Sequence, residues 1–583
     1  MRHMGSRGHR PAKSGNQVKT TMLTKLRAVS FLITLLAFAL VHSASPIPIT
    51  SAQPQRERVV TPAQTTPARP APSPAPTVVP SATSEDVLES LPQAAPATTS
   101  AKTPRTIAEL RARIAEVLAK PELSSAMVGI KVASLDSGQV LFEANADKLL
   151  RPASNMKLYT IAAALDRLSP DYRFVTSVYA TARPDADGVV QGDLTIYGRG
   201  DPSLAARFNN GDYFKGIDNL ATRIVAAGVK RIEGDLVGDE SYFTGPRYGS
   251  GWEWDDLQWY YGAEVSALTV NDNALDLSVK PGAQPGAPAV VVTGPPDPLL
   301  RIVNHVTTAP RGTKRELTVY RGLASDELEI SGAIALDDKG YSGGIGISHP
   351  ALLFVYLLRA SLAQRGVVIV GKTRIVTPAL TVAAPAPALL ELTTLQSPPL
   401  SLIAAQTLKP SQNLYTELVL RTLGTVPGLP TTAVKANRTS EAAGLEVVKT
   451  FLREAGLNPG SLVLTDASGL SRNDMITATA TLQLLTFMQR HRYASVFRDA
   501  LPIAGVDGTL RNRFKGTAAA NNLRAKTGSL SSASSLSGYV TTAAGEKLAF
   551  SIMVNNFSPE IEPRTVCIDP IALLLASFTG RSQ

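Results

Sequence analysis

A serine and a lysine three residues apart, in the run Ser154-Asn155-Met156-Lys157, stand where a helix is expected to begin after Pro152. Residues three apart share one helix face, so the amine can hydrogen-bond the hydroxyl and take its proton, activating a weak nucleophile. A serine at a helix start also has its own N–H directed toward a position where oxyanion charge could develop. Such a base must be partly neutral, so Lys157 needs desolvation or a nearby cation. Alone, the pattern also suits a helix cap followed by a surface lysine, although it is the only Ser-x-x-Lys in the chain.

Two further patterns lie downstream. Lys526-Thr527-Gly528 precedes a C-terminal hairpin. A strand of this kind can lie beside a peptide while the ammonium and hydroxyl hold a carboxylate, and glycine permits close approach. An edge strand with a solvated lysine is the plain alternative. Ser-x-Asn occurs at Ser14, Ser411 and Ser471. Ser14 lies in the leader. Ser411-Gln412-Asn413 opens a helical run between the other two patterns, which suits a loop hydroxyl pointed into a cleft, and Ser471-Arg472-Asn473 is its rival.

The elements that must position these residues follow from periodicity. TIAELRARIAEVLAK, from Thr106, places Ile107, Leu110, Ile114, Val117 and Leu118 on one side of a helix. MVGIKVASLD, the turn Asp136-Ser137-Gly138 and QVLFEAN read as a hairpin, SNMKLYTIAAALDRL as a helix, LSGYVTTAAGEKLAFSIMVNN as a second hairpin and PIALLLASF as a closing helix. Residues 176–391 read differently, as short strand-like pieces such as LTIYG, LDLSVK and KRELTVYRG separated by Gly and Pro, hence an inserted and mostly β region.

The 583 residues are 44% hydrophobic and 18% charged, enough for at least two globular domains. A single cysteine, Cys567, excludes an intramolecular disulfide and thiolate metal clusters, and six scattered histidines give no local metal-ligand spacing, so neither a metal nor a cofactor is expected. The formal charge of +10 is misleading. Residues 1–45 carry seven Lys and Arg and no acid, leaving +3 for the rest, so nucleic acid is not an expected partner.

That leader has the layout of an export signal: Lys25 and Arg27 precede the apolar run Ala28–Val41, with small residues at Val41 and Ser43. The expectation is a protein of the periplasm or envelope exterior, membrane-tethered if the signal stays uncleaved. Residues 46–104, dominated by Pro, Ala, Thr and Ser, bury too little apolar area to order and read as a disordered linker.

Together the three patterns are far more specific than any one, and the set is that of penicillin-binding proteins and class A β-lactamases. The chain resembles the D-alanyl-D-alanine carboxypeptidase/endopeptidase family, the class C low-molecular-mass penicillin-binding proteins. Besides the three patterns, the resemblance includes GRGDPSL (198–204), GWEWDDLQ (251–258), SQNLYTELVLR (411–421), TDASGLSRND (465–474), PIAGVDGTLRNRF (502–514) and FSIMVNNF (550–557). Ser471 falls inside the SGLSRND run, so the family pattern selects Ser411. The 257 residues from Ser154 to Ser411 far exceed the span in a simple β-lactamase, and an insertion there is the family's hallmark. The resemblance implies an α/β fold: a β-lactamase/transpeptidase-like domain, a sheet flanked by helices, from residues 105–175 and 392–583, split by a mostly β two-domain insertion at 176–391.

The resemblance further implies that Ser154 attacks D-Ala–D-Ala in peptidoglycan stem peptides, Lys157 is the base, Ser411 relays a proton to the leaving amine and Asn413 orients substrate and Lys157. Lys526, with Thr527 and Gly528, binds the terminal carboxylate, and the N–H groups of Ser154 and Ser529 form the oxyanion hole. β-Lactams are the expected inhibitors. Asp256 in GWEWDDLQ, beside Trp252 and Trp254, is expected to meet a free amine of the stem peptide, against an ordinary loop role, while Asp201 is expected to fix a turn. Two other classes remain: a β-lactamase, for which no deacylating acid is evident by motif, and a catalytically inactive wall-binding paralogue, against which the intact motif residues argue.

Overall fold

The computed structural model describes residues 103–295, 297–323, 325–378, 389–429 and 438–582. All belong to one unit, Thr77–Gln583. The export signal expected at 1–45 and nearly all of the linker expected at 46–104 lie outside the described residues. Among those described, no helix is long and apolar enough to cross a membrane.

A five-stranded antiparallel sheet carries the site. Its spatial order is Arg524–Leu530, Ala533–Thr541, Lys547–Asn555, Met127–Ser134 and Val140–Ala144. The last long strand of the chain therefore pairs with the first, Met127 opposite Asn555 and Ser134 opposite Leu548, which joins the two halves of the domain by main-chain hydrogen bonds. Alternation sorts the side chains of Lys547–Asn555. Leu548, Phe550, Ile552 and Val554 face a core shared with Leu110 and Ile114 of the N-terminal helix (Ile107–Leu118) and Ile571 and Leu575 of the C-terminal helix (Asp569–Ser577). The opposite face presents Ala549 and Met553 to a helical layer. At the centre of that layer, the helix Met156–Leu168 is apolar over most of its circumference, with only Asp166 and Arg167 incompletely buried. A helix of that kind must be enclosed. It packs against helices Leu400–Leu408, Asn413–Thr425 and Ser440–Glu454.

The intervening chain leaves this domain at the strand Val175–Ala180 and returns along Leu390–Gln396, and these two strands pair with each other, Val175 opposite Gln396. They form one edge of a second five-stranded sheet in the order Thr373–Val376, Leu236–Asp239, Leu194–Tyr197, Val175–Ala180, Leu390–Gln396. Three-stranded sheets follow, one centred on Ala274–Lys280 and another on Glu327–Ala335, and they share a continuous apolar core with it. This region also contains two helices, Lys215–Ala226 and Pro350–Gln364, where the sequence pattern suggests mostly strand. Ile217, Leu220, Ala221 and Ile224 recur at helical spacing and are buried, and Pro350 occupies the first helical position. The short Gly- and Pro-bounded strands around them obscure that signal.

Candidate active site

Ser154 sits in a single 3-10 turn, Ala153–Asn155, that runs directly into the helix Met156–Leu168. The turn is pinned from the sheet side. Ser535 Oγ donates to Pro152 O at 2.7 Å, and Asn155 Nδ2 donates to Ser537 Oγ at 2.9 Å. Ala153 has a φ of 47°, a left-handed conformation that a residue with a Cβ adopts only at a cost and that the surrounding contacts must hold in place.

Lys157 is fully buried, and its ammonium donates to Ser154 Oγ at 2.9 Å, Asn413 Oδ1 at 2.6 Å and the Ser468 carbonyl at 2.8 Å. The first contact is the serine–lysine pair expected from spacing. The third is not evident from sequence, because Ser468 contributes a main-chain oxygen. Its turn is built on Asp466, a fully buried carboxylate that accepts from the N–H groups of Ser468, Gly469, Leu470 and Ser471, from Ser468 Oγ and from Trp252 Nε1. An aspartate followed by small residues, as in TDASGLS, is the signal that could have revealed this Asx-type turn. Burial, reinforced by the Asp466 charge, pushes the neighbouring carboxyls of Asp474 and Glu417 well above the usual carboxylate range.

Ser411 lies at the start of the helix Asn413–Thr425 with φ 64°, a second left-handed non-glycine residue at the site. Asn413 is the first residue of that helix, and while its Oδ1 accepts from Lys157, its Nδ2 donates to the Tyr261 carbonyl at 2.9 Å. The rival Ser471 is buried in the Asp466 turn.

Lys526 is fully buried and donates to Ser411 Oγ at 2.8 Å and to the Thr527 carbonyl at 2.9 Å, while Thr527 Oγ1 donates to Thr509 Oγ1 at 2.8 Å. Gly528 owes its identity to the protein rather than to close approach by a ligand alone. A Cβ there would overlap Ser535 Oγ and lie 2.7 Å from the Pro152 carbonyl and 3.0 Å from Ser154 N.

These residues converge on a cleft of about 490 Å3 whose walls include Ser154, Ser411, Asn413, Ser529 and Asp256. Lys157, Lys526, Thr527 and Gly528 form the buried layer behind it. Its volume is in the range of small-ligand sites. Asp256 reaches the wall beside Tyr260 and Tyr261, and not through the tryptophans expected to flank it: Trp252 points its indole N–H at Asp466, 2.8 Å away, and Trp254 is 66% exposed. Burial first, then the charges of Asp255 and Glu253, pushes the Asp256 carboxyl up to about 6, with Arg472 opposing. Asp201 lies elsewhere and accepts from Ser203 N at 2.8 Å, the turn expected of it. Among the described residues no cluster of His, Cys, Asp and Glu is suited to a metal ion.

Comparison with known proteins adds the following. The model of the D-Ala-D-Ala carboxypeptidase 3 (S13) family matches residues 110–577. The chain is 34% identical over 490 residues to a D-alanyl-D-alanine carboxypeptidase of Actinomadura sp. (strain R39), covering 81% of this chain and 86% of the relative. It is 25% identical over 450 residues to the D-alanyl-D-alanine carboxypeptidase DacB of Haemophilus influenzae, covering 75% and 87%. The crystal structure of penicillin binding protein 4 from H. influenzae superposes with a TM-score of 0.67 at 22% identity, covering 81% of this chain and all of that one, and so shares its fold.

Proposed function

The chain belongs to the D-Ala-D-Ala carboxypeptidase 3 (S13) family, and on that premise we propose that it hydrolyses peptidoglycan stem peptides and cross-links through an acyl-enzyme on Ser154. The observation that carries this reading is the 2.9 Å contact between Lys157 Nζ and Ser154 Oγ at the floor of a cleft that also holds Ser411, Asn413 and Asp256.

Ser154 Oγ attacks the carbonyl of the penultimate D-alanine and its proton passes to Lys157. The N–H groups of Ser154 and Ser529 receive the oxyanion. As the C–N bond breaks, Ser411 relays to the departing amine the proton that Lys157 took from Ser154, so Lys157 and Ser411 both return to their starting forms, and the leaving group departs as D-alanine or, from a cross-link, as the acceptor peptide. Water then cleaves the ester and regenerates Ser154. Lys526, behind Ser411, supplies the positive charge that the terminal carboxylate of the substrate needs, and Asn413 aligns the acyl chain while holding Lys157. A β-lactam enters the same path and stalls as the acyl-enzyme. Asp256, which lines the same cleft, selects stem peptides with a free side-chain amine. The substrate lies outside the cytoplasm, which agrees with the export signal read in residues 1–45.

The test is labelling with a fluorescent penicillin combined with digestion of purified cross-linked and uncross-linked wall fragments. Wild type is expected to carry a stable label on Ser154 and to release D-alanine or split cross-links, and Ser154→Ala to do neither while keeping its circular dichroism. An adduct mapped by mass spectrometry to another residue overturns the assignment, and rapid loss of label places the protein among the β-lactamases.

A further inference from the structure

Two acceptors of the Lys157 ammonium, Asn413 Oδ1 and the Ser468 carbonyl, are held in place from the inserted region, by one loop. Asn413 Nδ2 donates to the Tyr261 carbonyl, which fixes the amide so that Oδ1 faces Lys157. Trp252 Nε1 donates to Asp466 Oδ2, the carboxylate around which the Ser468 turn is folded, and the Ser468 carbonyl accepts from Lys157. Between these contacts, on the same loop, Asp256 faces the cleft.

The loop is bolted down rather than hanging free. Arg421 donates to the Pro246 and Tyr248 carbonyls at 2.6 and 3.2 Å, and Ser250 donates through its N–H and hydroxyl to Glu441 at 2.8 and 2.7 Å. Its register against the helical layer is therefore defined, and the indole N–H meets Asp466 by construction.

We infer that Trp252 is a positioning residue for acylation: its N–H holds Asp466, and through the Asp466 turn the Ser468 carbonyl, where Lys157 needs it. The inference rests on the serine–lysine mechanism proposed above. Physically, a hydrogen bond to a buried carboxylate is among the stronger ones; without the indole donor Asp466 Oδ2 keeps only the Ser468, Leu470 and Ser471 donors of its own turn, and the contact that ties that turn to the insertion loop is lost. Small displacements of a catalytic group carry large rate penalties. The loop that reads the stem peptide with Asp256 thus also supports the base, so an enzyme that lost the insertion would lose more than specificity.

The experiment compares the full chain with Trp252→Phe, which keeps an aromatic ring without the N–H, and with Gly249→Ala, whose added Cβ would overlap Trp252 Nε1 and displace the indole from a second direction. Trp254→Phe, on the exposed part of the same loop, is the control. Acylation by penicillin is followed by stopped flow, separating the rate constant from the binding constant, alongside melting temperature. Trp252→Phe and Gly249→Ala are expected to lower the acylation rate constant about tenfold or more with the binding constant unchanged, and Trp254→Phe to match wild type. Wild-type acylation in both test variants, or a loss confined to binding or to melting temperature, overturns the inference. If Trp252→Phe does not fold, Gly249→Ala decides alone. Failure of wild type itself to acylate would instead count against the proposed function.

Discussion

Lys526 Nζ and Ser411 Oγ are 2.8 Å apart, so the cation expected to receive the substrate's carboxylate touches the hydroxyl expected to pass a proton to the leaving amine. Both roles therefore draw on one contact. An ammonium donating to a hydroxyl orients that hydroxyl's lone pairs and favours any negative charge beside it. The Lys157 amine has a comparable relation to Ser154, at 2.9 Å, so two serine–lysine pairs meet at the cleft.

Lys526→Ala is expected to slow turnover of every substrate, because Ser411 loses its anchor, and to slow substrates with a free terminal carboxylate more than their amidated analogues. Buried charge pairs contribute on the order of 2–5 kcal/mol when one partner is removed, so an added loss of tenfold or more is the signal. Steady-state kcat/KM on matched acid and amide peptides measures it, and equal losses on both would assign Lys526 to Ser411 positioning alone.

Gly528→Ala tests whether strand and nucleophile must touch. With the Pro152 carbonyl 2.7 Å and Ser154 N 3.0 Å from the new Cβ, the strand Arg524–Leu530 has to retreat from the serine turn. A displacement near 1 Å costs about a hundredfold in rate. Penicillin acylation is expected to fall by that order, and a near-wild-type rate would mean that the strand yields elsewhere.

Ser411→Gly separates stability from activity. At φ 64° the serine is strained, and glycine is not. Replacement should recover about 1 kcal/mol of stability, seen as a raised melting temperature, while deleting the hydroxyl should depress turnover severely. A lower melting temperature would show that the hydrogen bond to Lys526 outweighs the strain.

Asp256 gives a pH signature. Its carboxyl is pushed up to about 6, so it is mostly neutral at pH 5 and ionised at pH 7.5. An ion pair with a peptide amine requires the ionised form. The preference in kcat/KM for a free-amine stem peptide over its acetylated form should therefore grow as pH rises through about 6, and Asp256→Asn should abolish both the preference and its pH dependence. A flat ratio across that range would make Asp256 structural.

Relationships between residues a few positions apart are legible in the sequence itself. Ser154 and Lys157 share a helical face because helix geometry dictates it, and the two hairpins, the helix Met156–Leu168 and the strand-rich character of residues 176–391 follow from periodicity and turn residues, whereas the split of one domain by that stretch is legible only through the family resemblance. The helices Lys215–Ala226 and Pro350–Gln364 escape such a reading because short strands surround them.

Other features required the tertiary fold. Lys157 meets Asn413 and Ser468 across 256 and 311 positions of sequence, and Lys526 meets Ser411 across 115. Periodicity carries no information at such separations. They are set by the pairing of the first strand with the last and by packing of the enclosed helix against its neighbours. The Ser468 carbonyl is the sharpest case: a main-chain oxygen has no side-chain identity to read, and only the turn around Asp466 directs it at the lysine. Trp252 likewise has the sequence position of a flank for Asp256, and the fold turns it to Asp466 because a buried carboxylate must find donors wherever the chain can supply them.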